Sequence, residues 1–116
     1  MALPKLFILK PSFPDAKVGA GLYYCPHSAA VEGVLGFYPA LRERLEVRYV
    51  DFARPRQEVI AEIGEASQIC PVLVLPPGWP APSSAGRQAN GRAFFVGTSE
   101  IAAFLGEWAG IALPHP

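Results

Sequence analysis

The chain is poor in cysteine: it has only Cys25 and Cys70 among 116 residues. Two cysteines are too few for a secreted scaffold stapled by disulfides, and their spacing does not make a zinc ligand set. It has no excess of charge either, with ten basic residues against ten acidic ones. Nothing electrostatic therefore favours nucleic acid or an anionic membrane as the main partner. No apolar run approaches the ~20 residues that a membrane span needs. The start, Met1-Ala2-Leu3-Pro4-Lys5, lacks the charged segment and apolar core of an export signal. A cytoplasmic protein with no membrane partner is expected. There is no internal repeat, and 51% apolar residues in a chain of this length suit one domain over residues 1–116 with a real core.

What the chain does have is concentrated in Tyr23-Tyr24-Cys25-Pro26-His27-Ser28. A proline fits the first position of a helix, where its fixed φ is already helical and its missing N–H removes no bond, so Cys25 falls at the N-cap. Unpaired backbone N–H groups and the positive end of the helix dipole favour thiolate over thiol at such a position. His27, just inside the helix, is placed to add a cation or a hydrogen bond, and Ser28 shares a face with Cys25 because residues at i and i+3 are neighbours on a helix. A lone intracellular cysteine is more often a small buried apolar residue. The proline, histidine and serine that follow it weigh towards chemistry at Cys25.

Around this stretch the apolar periodicity predicts an α/β order. Residues 3–9 read as a short buried strand, in which Leu6, Phe7, Ile8 and Leu9 form a continuous apolar run, as in a strand covered on both faces. Residues 11–24 have turn chemistry and no period, and read as a long loop. A helix is expected from 26 to about 38, with Ala30, Val31, Val34, Leu35 and Tyr38 on one face and with Gly33 and Gly36 allowing close packing on the sheet. Alternation of Leu45, Val47 and Tyr49 with Glu46 and Arg48 gives an edge strand over 45–50. Pro55 opens a second helix over about 56–63, stopped by Gly64. Residues 72–75 form a central strand, with Pro71 confined to its start. Residues 76–90 are a surface excursion whose strongest turn signal is Asn90-Gly91. A strand over 92–96 and a helix from Gly97-Thr98-Ser99-Glu100 through about Trp108, with Ile101, Phe104, Leu105 and Trp108 inward and Gly110 as its stop, complete the order β-α-β-α-β-β-α.

With a Cys-Pro-X-X helix start after the first strand and Ile69-Cys70-Pro71-Val72 entering the third, nearly the whole chain resembles the thioredoxin-like superfamily in its glutaredoxin-sized form. Within it, Tyr24-Cys25-Pro26-His27, Arg54-Pro55-Arg56 and Cys70-Pro71-Val72-Leu73-Val74 look most like an uncharacterised bacterial thioredoxin-like domain of unknown function. The resemblance implies a four-stranded mixed sheet flanked by helices and a cis peptide before Pro71. It implies that Cys25 matches the attacking thiol, Pro71 the cis-proline beside it, and Ser28 the place where dithiol members keep a resolving cysteine. A serine there removes the usual dithiol pair and leaves a monothiol route or a different second thiol. The residue before the cis-proline lies beside the nucleophile in this fold, so Cys70 is inert and buried, resolves Cys25 in a disulfide, or shares a metal with it. A disulfide requires Cα atoms within ~7 Å.

The resemblance also points to glutathione as a co-substrate, no other cofactor being required. In glutaredoxins a polar start to the last helix binds the free amino acid end of glutathione, and Thr98, Ser99 and Glu100 look similar; a plain helix cap is the simpler reading. Lys10, Arg54 and Arg56 end or follow strands whose C-terminal edges face the same place, and are candidates for pairing an anionic ligand, against the simpler reading of solvated surface charge. Tyr23 and Tyr24 are candidates for walls of a cleft, with at least one of them expected in the core as the simpler reading. Trp79 has no helix or strand face and is a candidate contact in a homodimer. Two functions remain in view: a thiol-disulfide oxidoreductase acting on glutathione or a disulfide-containing protein, and a non-enzymatic module that binds a protein or carries a metal or iron–sulfur cluster through Cys25, His27 and Cys70. Zinc or a cluster wants about four ligands, more than this set provides.

Overall fold

The computed structural model describes residues 2–80 and 86–116. Its core is a five-stranded mixed sheet with helices on both faces. The strands are β1 (Lys5–Leu9), β4 (Glu46–Val50), β5 (Val72–Val74), β6 (Arg87–Ala89) and β7 (Arg92–Val96), arranged β4-β1-β5-β7-β6. β1 and β4 are parallel, whereas β5 is antiparallel to both β1 and β7, and β6 is antiparallel to β7. Helices α1 (Pro26–Phe37), α2 (Leu41–Arg44), α3 (Gln57–Ile63) and α4 (Gly97–Ala109) follow β3 (Gly19–Tyr23), α1, β4 and β7 in the chain.

Burial on both faces explains the continuous apolar runs. Side chains alternate across a strand, so Leu6, Ile8, Leu73 and Phe95 enter one core with Leu35 of α1 and Ile101 and Leu105 of α4. Phe7, Leu9, Val72, Val74 and Phe94 enter the opposite core with Val59 and Ile63 of α3. Cys70 belongs to this second core and Cys25 packs against it. The sheet thus carries both thiols on its α3 side.

Several elements differ from the sequence expectation. The sheet has five strands and not four, because residues 87–89 of the excursion pair with β7 across the Asn90-Gly91 turn. Both turn residues have positive φ, 51° and 71°, as that hairpin turn demands. Arg87-Gln88-Ala89 has no apolar alternation, so pairing alone makes it a strand. Residues 81–85 of the same excursion lie outside the described residues. The stretch expected as a loop contains a second hairpin, β2 (Phe13–Asp15) with β3 (Gly19–Tyr23), turned by Asp15, whose Oδ1 accepts the Lys17 N–H at 3.1 Å. Phe13 stacks on Phe52 with ring centroids 4.2 Å apart, which fastens the ribbon to the body.

Gly33 and Gly36 face solvent, with nothing within 4 Å of an added Cβ, so they do not mark close packing on the sheet. Ala30 is exposed as well, leaving Val31 and Leu35 as the buried stripe of α1 together with Ser28. On the edge strand Tyr49 points outward, 41% exposed, because Arg42 and Glu32 hydrogen-bond its hydroxyl there. Trp79 packs on Trp108 at 6.2 Å between centroids and closes the α4 side of the core, so much of its ring is used within the chain. No described helix is long and apolar enough to cross a membrane.

Candidate functional site

Cys25 caps α1. Its backbone is extended (φ −80°, ψ 117°), Pro26 occupies the first turn, and Sγ accepts the Ser28 N–H at 3.4 Å. The sulfur is half-buried and lines a cavity of about 220 Å3 with Tyr24, Pro11 and Ala29 among its walls. The β2–β3 ribbon delivers the chain to this point, and Gly21 at φ 100° is a conformation an L side chain resists. Tyr24 stands beside the thiol, 64% exposed, while Tyr23 donates its hydroxyl to the Ala20 carbonyl within the ribbon. Neither is part of the core.

Ser28 holds the sheet to the helix. It is only 2% exposed, and its Oγ accepts the Leu9 N–H at 3.2 Å. The β1–β5 ladder stops at Phe7 opposite Val72, and the next N–H along, that of Lys10, goes to the Val50 carbonyl on the β4 side. The Leu9 N–H has therefore run past its strand partner, and the hydroxyl supplies the acceptor that a buried amide requires.

Cys70 is 8% exposed and precedes Pro71 through a cis peptide bond; the Arg54–Pro55 bond is cis as well. Burial pushes the Cys70 thiol up to about 11, against a smaller opposing pull from Arg56. The Pro71 carbonyl accepts the Gly97 N–H at 3.0 Å, which docks the start of α4 on the entry to β5. A second cleft opens here, about 380 Å3, lined by His27, Cys70, Pro71, Thr98, Ser99 and Glu100. His27 is exposed and its Nδ1 lies 3.3 Å from Thr98 Oγ1, so its ring is tied to α4.

Both cysteines are free. They adjoin the same apolar cluster, with Cys25 lining the first cavity and Cys70 the second. Arg56, simplest to read in the sequence as solvated surface charge, is 7% exposed. Its guanidinium donates to the Phe52 carbonyl through Nε (3.1 Å) and Nη2 (2.7 Å) and to the Gln68 carbonyl through Nη1 (2.6 Å). Gln68 also accepts the Arg56 backbone N–H at 2.9 Å. Burial lowers the Arg56 pKa, with the Cys70 thiol the largest opposing influence. The sequence singled Arg56 out as a candidate anion partner but not as interior: an arginine between Pro55 and Gln57 at a helix start has no local pattern that marks it as buried.

The remaining candidates divide. Glu100 is occupied, taking Arg87 Nη2 at 2.9 Å and the Val96 N–H at 3.0 Å. Arg87 first, and then that N–H, hold its carboxyl below the usual carboxylate range. It thereby satisfies the N-cap N–H from within α4, and no side chain caps from the N-cap Val96 itself. Lys10 and Arg54 lie in a different depression beside Val50, Asp51 and Glu58. Lys10 pairs there with Asp51 at 3.1 Å, and Arg54 is exposed. Among the described residues no three His, Cys, Asp or Glu side chains come together as a metal site.

A family described as "Protein of unknown function (DUF3088)" matches residues 3–113. The chain belongs to this family. Comparison with curated proteins and with solved structures finds no match. Membership in the DUF3088 family thus spans every element from β1 to α4 and carries no activity with it.

Proposed function

We propose that this chain is a thioredoxin-like thiol-disulfide exchange protein in which Cys25 attacks and Cys70 resolves. The fold reading is supported by the parallel β1/β4 pair joined through α1, the antiparallel β5/β7 pair, and the docking of Pro71, at the entry to β5, on the start of α4. The observation that supports the activity is a half-exposed thiol at a helix N-cap, packed against the apolar cluster that holds a second, buried thiol.

The chemistry follows from that order of exposure. Thiolate at Cys25 attacks one sulfur of a substrate disulfide and releases the other as a thiolate, leaving a mixed disulfide on Cys25. Cys70, after giving its proton to solvent, attacks the Cys25 sulfur and expels the second substrate thiolate. Two electrons pass from the protein dithiol to the substrate. Ser28 takes no part in the exchange, since its hydroxyl is committed to Leu9. The exposed apolar side chains of Tyr24 and Ile69, one at each cleft, suit a disulfide carried on a polypeptide, while Thr98 and Ser99 leave room for glutathione as the alternative donor.

The test is reduction of a protein disulfide by the wild type, Cys25→Ser and Cys70→Ala. Loss of turnover in Cys25→Ser, with a trapped mixed disulfide on Cys25 in Cys70→Ala, is expected. Turnover in Cys25→Ser equal to that of the wild type refutes the proposal.

A further inference from the structure

The cavity that Cys25 lines is apolar where a site for a small anion would carry charge. Its floor is Ile8 and Leu9 of β1, both buried, and its walls are Pro11, Ala29 and Tyr24. The other polar side chains lining it are already engaged: the Ser28 hydroxyl accepts the Leu9 N–H, and the Glu32 carboxylate accepts from Arg42 and from the Tyr49 hydroxyl. No lysine, arginine or histidine lines it among the described residues. Lys10, between Leu9 and Pro11 in the chain, turns to another depression and pairs with Asp51 at 3.1 Å. At about 220 Å3 the cavity is also smaller than the ~300–1,000 Å3 of clefts that enclose a whole small molecule. It has room for one large side chain. Apolar surface continues from it onto the ribbon, where Leu22 of β3 and Tyr24 just beyond are two apart and so share a side of the extended chain. Both are exposed, and neither joins a core cluster. Apolar side chains grouped in this way mark a contact surface.

We propose that Leu22, Tyr24 and this cavity select a polypeptide whose reacting cysteine has a large apolar neighbour, and discriminate against glutathione. The inference rests on the reading of Cys25 as the attacking thiol. The apolar side chain enters the cavity and its neighbouring disulfide meets the Cys25 sulfur on the wall. The Cys25 thiolate bonds to the substrate sulfur, the substrate S–S bond breaks, and the other sulfur leaves as a thiolate with the electron pair. Removing a large apolar side chain from water favours this complex. Glutathione, which carries more carboxylates than ammonium groups, finds no cation in the cavity to offset their loss of water.

The test compares three disulfides: the homodimers of the peptides Gly-Phe-Cys and Gly-Ser-Cys, and oxidised glutathione. Consumption of the reduced protein is read by mass after acid quench, and each rate is divided by that for iodoacetamide in the same protein, which cancels the intrinsic reactivity of the thiol. In the wild type the phenylalanine disulfide is expected to react at least about tenfold faster than either of the others. Tyr24→Ser and Leu22→Ser, both at exposed positions, are expected to shrink that preference to within about threefold, whereas Phe37→Ser, at an exposed apolar residue on the last turn of α1, keeps it. Equal rates with all three disulfides, or a preference that survives both Tyr24→Ser and Leu22→Ser, overturn the selection and leave Cys25 as the attacking thiol. No reaction of Cys25 with any disulfide, while iodoacetamide still alkylates it, overturns the exchange reading and the proposal with it.

Discussion

Replacing Ser28 by alanine separates a structural serine from a redox one. The hydroxyl is 2% exposed and is the acceptor for the Leu9 N–H at 3.2 Å, just where β1 outruns β5. Without it a buried amide is left unpaired, which costs about 1–3 kcal/mol. For a domain of this size each kcal/mol moves Tm by about 4 °C, so thermal unfolding followed by circular dichroism should show a fall of roughly 4–12 °C. The donor to Cys25 is the backbone N–H of Ser28, which the substitution keeps. Alkylation of Cys25 by iodoacetamide in the folded variant should therefore match the wild type. A shift of less than about 1 °C would contradict the assignment of Leu9 to Ser28. A Cys25 that alkylates much more slowly would show that the hydroxyl acts on the thiol after all.

Three further outcomes follow from the same geometry. Cys70 is protonated more tightly folded than unfolded, so its contribution to stability is intact below the ordinary value of 9.0 and is lost as pH rises towards about 11. Two pKa units correspond to about 2.7 kcal/mol, and urea unfolding from pH 8 to 11 should show a wild type that weakens by up to that amount relative to Cys70→Ala; parallel curves would refute it. Glu100→Ala removes the acceptor for the Val96 N–H at the start of α4 and should cost about 1 kcal/mol in urea unfolding, whereas Lys10→Ala, which breaks an exposed pair with Asp51, should cost less than about 0.5 kcal/mol. Equal costs would mean that the cap is idle. In native protein one thiol should alkylate readily, and Cys25→Ser should abolish that reaction until denaturant exposes Cys70, which is 8% exposed.

The parts of the fold legible in the sequence are those with an apolar period. Leu6 to Leu9 and Val72 to Val74 are unbroken runs because both faces of the sheet are covered, and Ile101, Phe104 and Leu105 mark the inner face of α4. The position of Cys25 at the N-cap of α1 follows from Pro26 alone. The β2–β3 ribbon is built from Phe13-Pro14-Asp15 and a Gly-Ala-Gly stretch, whose small residues alternate without hydrophobic contrast. β6 is polar throughout and is specified by its partner. Ala30, Gly33 and Tyr49 show the limit of period counting: each lies near an inward position, yet solvent or a polar partner such as Arg42 claims it. At the site, His27, Cys70, Pro71, Thr98 and Ser99 do meet in one cleft, whereas Lys10 and Arg54 lie elsewhere. Arg56 was the least legible, because its burial depends on Gln68 and Phe52, residues that the chain brings to it only after folding.

The most direct test of the exchange pair is the mass of the oxidised protein. Protein treated with oxidised glutathione, quenched with acid and digested without reductant should yield a peptide containing Cys25 joined to one containing Cys70, with the intact chain lighter by two hydrogens. Glutathione retained on Cys25 beside a free Cys70 thiol, or both thiols unmodified, would contradict the account.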